Sequence, residues 1–168
     1  MSFSTADLCD CRGDEIQIAD PVFRQYGGAE HCFGRIRTIE IDEDNSELVK
    51  MLRDEEGHGD IAVVDVKGAK CAVVGDTLMG YAHKNGWSAI VINGYVRDTK
   101  ITSDIPVGLW ALGTYPLKSS KKAPARRDVE LTFASVTFRP GEYLYADHDG
   151  IVVMRENAVD IDCKEQCG

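Results

Sequence analysis

The stretch that decides the fold begins at Asp60-Ile61-Ala62-Val63-Val64-Asp65-Val66 and continues through Cys71-Ala72-Val73-Val74-Gly75-Asp76. After a helix-length interval it resumes as Ser88-Ala89-Ile90-Val91-Ile92-Asn93-Gly94-Tyr95-Val96-Arg97-Asp98. Each apolar run is short and β-branched and lacks polar alternation, the pattern of a strand covered on both faces. Gly75-Asp76 breaks the second run and opens a helix to about Asn85, which Gly86 closes. Strand, helix and strand with short joints make a βαβ unit, so its strands should run parallel.

Outward from this unit, Ser4-Thr5-Ala6-Asp7-Leu8-Cys9-Asp10 reads as a short helix capped by Ser4 or Thr5. Residues 33–41 form a β-branched, Arg-rich strand. Asp44 with Glu47 has the spacing of a capping box, and Leu48, Val49 and Leu52 give the following helix one apolar face. That helix should stop near Gly57-His58-Gly59. The last third is mostly β, with strands expected at 109–115, 129–138, 143–146 and 151–154 between turn-forming Pro, Gly and Asp residues. The expected class is α/β: a central βαβ unit with a β-rich C-terminal third, in one domain over residues 1–168 with a short tail from about 161.

A chain of 168 residues suits one domain. With 43% hydrophobic and 28% charged residues it is neither disordered nor fibrous. Its 19 basic and 28 acidic residues leave a net charge of −9, which argues against nucleic acid as a direct ligand. A basic protein partner, or a small anion held by a few local cations, remains compatible. No apolar run is long enough to span a membrane. Asp7, Asp10, Asp14 and Glu15 occupy the region where a signal peptide would need an apolar segment, so a cytoplasmic location is expected. Cys9, Cys11, Cys32, Cys71, Cys163 and Cys167 match no zinc-knuckle spacing and read as reduced thiols, a link between the termini being the alternative.

Ligands in parallel sheets sit beyond the carboxyl ends of strands, so the joints of the βαβ unit are the places to look. At the first, Gly75-Asp76-Thr77-Leu78, glycine lets a ligand approach the backbone and the following amides suit an anion. At the second, Arg97 can grip a carboxylate or a developing enolate oxygen, and Asp98 offers a hard oxygen to a divalent cation. Taken singly, a capped turn and a surface ion pair would explain both. The spacing argues otherwise: Asp76, then the 20 residues 77–96, then Arg97-Asp98. Arg53-Asp54 and Arg127-Asp128 have Cys32 and Pro106 where the leading aspartate would stand.

These residues resemble the pyruvate aldolases that cleave 4-hydroxy-4-methyl-2-oxoglutarate, together with the regulator of ribonuclease activity A. The resemblance runs from about Thr5 to Asp160. It is carried by Ala6-Asp7-Leu8-Cys9-Asp10, Glu43-Asp44-Asn45, Ala62-Val63-Val64-Asp65, Gly75-Asp76-Thr77-Leu78, Gly94-Tyr95-Val96-Arg97-Asp98 and Leu144-Tyr145-Ala146-Asp147-His148-Asp149-Gly150-Ile151. It implies a swivelling β/β/α domain, like that of phosphohistidine domains, assembled as a homotrimer or a pair of trimers with sites near subunit interfaces. It further implies that Gly75, Asp76, Thr77, Leu78 and Arg97 bind the pyruvyl substrate. Arg97 and Asp76 would act in catalysis, and Asp98 would hold Mg²⁺ or, alternatively, Mn²⁺. The implied activity is metal-dependent retro-aldol cleavage of a small 2-oxo acid, with oxaloacetate decarboxylation alongside. The competing expectation is a protein without turnover that masks a ribonuclease or RNA helicase.

Other residues carry plainer expectations. Lys118 to Lys122, with Arg126-Arg127 beyond, is the only basic cluster and reads as a solvated loop. His31, His58, His83 and His148 are scattered, which speaks against a phosphohistidine function. Trp87 and Trp110 should be core or interface aromatics, and Asp147 and Asp149 turn formers.

Overall fold

The computed structural model describes residues 2–120 and 124–158. The tail from about 161, Cys163, Cys167, Lys121 and Lys122 lie outside the described residues. Along the chain, α1 (Thr5–Arg12) precedes β1 (Ile16–Ile18), β2 (Arg24–Gln25) and β3 (Cys32–Glu40). Next come α2 (Ser46–Asp54), β4 (Ile61–Asp65), β5 (Ala72–Val74), α3 (Asp76–Lys84) and β6 (Ala89–Val96). The remainder is α4 (Thr99–Thr102), β7 (Gly108–Thr114), β8 (Arg126–Arg127), β9 (Leu131–Phe133), β10 (Val136–Phe138), β11 (Tyr143–Ala146) and β12 (Ile151–Met154).

Ten strands form one sheet, β9 and β10 a separate hairpin. The apolar runs read as doubly covered strands, β4 and β6, lie at its centre and pair in parallel. β3 joins two kinds of pairing in one strand. Its first half runs antiparallel to β11, while residues 36–40 run parallel to β4. The β5–α3–β6 crossover is parallel, as the sequence pattern requires. Side chains alternate between two cores, as the period of a strand dictates. Ile39, Ala62, Val64, Ile90, Ile92 and Leu109 face the helices; Ile36, Ile61, Val63, Ala89, Val91 and Trp110 face the β-rich third. Leu48, Met51 and Leu52 of α2 meet Leu78, Met79 and Ala82 of α3 in the first core. Each of those three α2 side chains is fully buried, which contributes roughly 1.5–3 kcal/mol apiece. Trp87 and Trp110 are both buried. No helix among the described residues is long and apolar enough to cross a membrane.

Several elements depart from the sequence pattern. The expected strand at 129–138 is the β9–β10 hairpin, turning at Ala134-Ser135, both left-handed with φ of 49° and 63°. Neither residue is a glycine or asparagine, so the usual hairpin signature is missing. β6 carries a register shift against β7 between Ile92 and Tyr95, which its apolar run does not announce. The expected capping box gives way to an earlier turn: Asp44 Oδ1 accepts from the Ser46 amide and hydroxyl, α2 starts at Ser46, and Glu47 pairs with Lys50. Arg126 and Arg127 form a strand on β3 rather than a solvated loop. Arg127 binds both oxygens of Glu55, which Arg37 also approaches. Hydrogen bonding from Arg127 holds the Glu55 carboxyl below its ordinary pKa. Arg37 also reaches Asp60 at 2.7 Å and lies over the Trp87 ring, so this network ties α2 to the sheet.

Asp147 does more than form a turn. Its carboxylate accepts the Thr5 amide and hydroxyl, both at 2.7 Å, and the Asp149 amide, which pins the start of α1 to the β11–β12 turn. Ser4 caps the same helix by accepting from the Asp7 amide. Burial raises the Asp147 pKa, but the bonds from Thr5, Asp149 and Gly150 outweigh it and the net shift is downward. The stabilisation from this carboxylate is therefore complete above the ordinary carboxylate range and lost as pH falls through the depressed value. Asp147→Ala should cost about 1–3 kcal/mol at neutral pH and loosen α1. Denaturant unfolding across pH checks this, the variant and wild-type curves converging on the acid side; a constant difference at every pH would refute it.

Candidate active site

The bulge in β6 sets the geometry of the site. Gly94 permits it, because a Cβ there would lie 2.7 Å from Val66 Cγ2. Beyond the bulge, Tyr95 and Val96 pair with β5, and the Arg97 amide donates to Val74 O at 3.0 Å. β5 and β6 thus end side by side. Gly75 and α3 leave one, Arg97-Asp98 the other, and all meet in a cleft of about 80 Å³. The sequence-predicted residues Gly75, Asp76, Thr77, Leu78, Arg97 and Asp98 all line it, joined by Asn45, Lys118 and Ser119.

The contact between its two walls is close. A Cβ on Gly75 would stand 2.5 Å from Asp98 Oδ2. The Gly75 backbone is extended at φ −140°, so what glycine supplies there is room for the Asp98 carboxylate rather than conformational freedom. Asp98 is left-handed at φ 58°, a conformation costly for a residue with a side chain. Its carbonyl receives the Ile101 and Thr102 amides of α4, which fixes the turn. Arg97 and Asp98 are partly exposed, with Nε and Oδ2 3.8 Å apart, and an Arg97 terminal nitrogen donates to Pro116 O at 3.4 Å. The guanidinium is held loosely and stays available to a ligand. The N-cap residue Gly75 has no side chain to bond the first amides of α3, whose positive end faces the cleft. Thr77 donates its amide to Asp76 Oδ1 at 2.9 Å, so that amide already holds a carboxylate.

Asn45, Lys118 and Ser119 were absent from the sequence-based site. Asn45 donates its amide to Val73 O at 2.8 Å, and Lys118 is set by a parallel bridge to Ala72. Both depend on pairings across long stretches of chain, for which local sequence holds no signal. Larger hollows lie elsewhere; one of about 480 Å³ is lined by Phe23, Trp110, Asp147 and His148. It contains no arginine or lysine, whereas the small cleft gathers cations, carboxylates and a helix end. His83 and His148 are exposed and outside the cleft. Cys9, Cys32 and Cys71 are thiols whose pKa burial raises, which makes them poor nucleophiles. Among the described residues no three or more His, Cys, Asp or Glu side chains converge on a common ion position.

The architecture defines an α/β protein with a small charged cleft at the carboxyl ends of parallel strands. The chain belongs to the RraA-like family (Aldolase/RraA), whose profile matches residues 5–153. It is 45% identical over 154 residues to a protein of Aromatoleum aromaticum named "Putative 4-hydroxy-4-methyl-2-oxoglutarate aldolase", covering 91% of this chain and 96% of that one. A protein of the same name from Laribacter hongkongensis is 46% identical over 153 residues, covering 90% and 96%. Among solved structures, the RNA-processing inhibitor RraA from Thermus thermophilis superposes with a TM-score of 0.90 at 36% identity, covering 96% and 98%. A Geobacillus kaustophilus protein described as an S-adenosylmethionine:2-dimethylmenaquinone methyltransferase gives 0.89 at 38%, covering 95% and 99%. The fold is the RraA-like β/β/α fold.

Gly75→Ala tests the wall-to-wall contact. The variant should keep its unfolding free energy within about 0.5 kcal/mol, while its crystal structure has the Asp98 carboxylate displaced. An unmoved Asp98 in a stable variant would refute the account.

Proposed function

We propose that this protein is a lyase, a divalent-metal-dependent pyruvate aldolase that cleaves 4-hydroxy-2-oxo acids of the 4-hydroxy-4-methyl-2-oxoglutarate type. The single observation that carries the reading is the convergence of Asp76, Arg97 and Asp98 on one cleft at the end of α3. Relatives bearing the aldolase name over nearly the whole chain support the reaction class.

The donor set fits a hard cation. Asp98 and Asp76 supply carboxylate oxygens, no sulfur or imidazole lines the cleft, and Mg²⁺ characteristically takes one or two carboxylates with water and substrate. Asp98 would hold the ion, Mg²⁺ before Mn²⁺, and its chemistry when bound is polarisation of the 2-oxo group.

The protein's own groups do the rest. The substrate carboxylate seats at the amides of Thr77 and Leu78, where the helix end favours an anion. Seating it there takes the Thr77 amide from Asp76, one hydrogen bond exchanged for another. The freed Asp76 carboxylate orients the water that accepts the proton of the 4-hydroxyl. As the C3–C4 bond breaks, its electron pair passes into the enolate, and Arg97 stabilises the charge on the enolate oxygen. Protonation at C3 yields pyruvate, and the other fragment leaves as a carbonyl compound. Loss of carbon dioxide from oxaloacetate gives the same enolate, so decarboxylation accompanies cleavage. The reading carries with it a cytoplasmic homotrimer or hexamer with the cleft near a subunit boundary. Ile101 and Leu117, apolar and more than half exposed beside Asp98 and Lys118, support that placement.

A second reading, a regulator that binds a ribonuclease or helicase without turnover, draws on the likeness to the RNA-processing inhibitor and on the net charge of −9. Purified protein with Mg²⁺ and either 4-hydroxy-4-methyl-2-oxoglutarate or oxaloacetate separates the two. Pyruvate should be released, and excess chelator should stop it. Arg97→Ala and Asp98→Ala should each lower kcat/KM by about a hundredfold or more with the unfolding midpoint unchanged. Full activity in either variant, or in chelator, would sink the mechanism.

A further inference from the structure

We infer that Lys118 selects a substrate with a second carboxylate, acting as the cation for the end of the molecule remote from the 2-oxo group. The inference rests on the aldolase reading of the same cleft. Lys118 lines that cleft with Arg97, Asp76 and Asp98. Its place is fixed on both sides. Before it, the Ala72 amide donates to Leu117 O at 2.7 Å; after it, Ser120 donates its amide to Glu43 O at 2.8 Å and its hydroxyl to Glu43 Oε2 at 3.0 Å. The residue itself is exposed and enters no ion pair among the described residues, so its ammonium is available.

Charge balance gives the class of ligand. Arg97 and Lys118 face Asp76 and Asp98, so the side chains of the cleft cancel. A divalent cation at Asp98 leaves two positive charges, which a dianion matches and a monoanion does not. The positions agree. With Arg97 and the end of α3 taking the carboxylate and 2-oxo group, Lys118, exposed and lining the same cleft on the segment following β7, is the cation left for the far end of a five-carbon acid.

The test uses two inert ligands of the same length, so that binding is read without turnover. Calorimetry with Mg²⁺ compares 2-oxoglutarate with 2-oxopentanoate, which has a methyl in place of the second carboxylate; neither has a 4-hydroxyl to cleave. The wild type should prefer 2-oxoglutarate by about tenfold to a hundredfold. Lys118→Gln should remove the preference by weakening 2-oxoglutarate alone, and Lys118→Arg should restore most of it. No preference in the wild type, a preference that survives Lys118→Gln, or equal weakening of both ligands would overturn the inference, as would binding of neither. Pyruvate release with an unaltered preference leaves the aldolase reading standing and removes this one. A Lys118-dependent preference without pyruvate release does the reverse.

Discussion

The parallel pairing of β5 with β6 fixes how close the first turn of α3 can come to Arg97 and Asp98. Parallel neighbours end on the same side of a sheet, so a helix leaving one strand begins beside the loop leaving the other. Here the approach is so close that a Cβ at position 75 would have to push the Asp98 carboxylate aside. The bulge at the end of β6 advances Arg97 into the same level, and Gly94 is what lets the strand bulge against Val66. Two glycines, in one crossover, therefore determine the separation of the charges that make the site.

The acidity of the chain divides along similar lines. Asp60 and Glu55 are committed to Arg37 and Arg127, and Asp147 to the start of α1. These carboxylates stabilise the fold because their hydrogen bonds are already made, and a ligand could use them only by breaking the structure. Arg97 is bound more loosely, at 3.8 Å from Asp98 and 3.4 Å from Pro116 O. The difference between Arg127 and Arg97, two Arg-Asp pairs of the same sequence, is one of partners. Arg127 has its carboxylate at Glu55; Arg97 faces the cleft.

That distinction was partly legible. The βαβ unit could be read because buried parallel strands carry continuous apolar runs, and the spacing from Asp76 to Arg97-Asp98 follows from one helix and one strand of ordinary length. What escaped reading depends on contacts remote in sequence or on turns without their customary residues. The hairpin at Ala134-Ser135 turns without glycine, held in part by the Asp20 amide donating to Ala134 O and by Ser135 donating to Asp20 Oδ2. α4 is a single turn, too short for any periodicity. Lys118 read as one more solvated cation because the strand that positions it, β5, lies more than forty residues earlier.

Asp98 joins these threads. Among the described residues six non-glycine residues have positive φ, and five of them, His58, Lys67, Asp128, Ala134 and Ser135, lie in turns or beside short edge strands. Lys67 and Asp98 each follow a central parallel strand by two residues, but Lys67 passes into a turn with Gly68, whereas Asp98 lines the cleft. Glycine would adopt that conformation with less strain, by roughly 1 kcal/mol. It would also keep the backbone bonds to Ile101 and Thr102, since those use only the Asp98 carbonyl. The fold therefore has no need of a side chain there. The carboxylate is held in a strained position, partly exposed, against a glycine that leaves it room and beside a loosely held arginine. Strain at a position where the fold would accept less supports the chemical role proposed for Asp98.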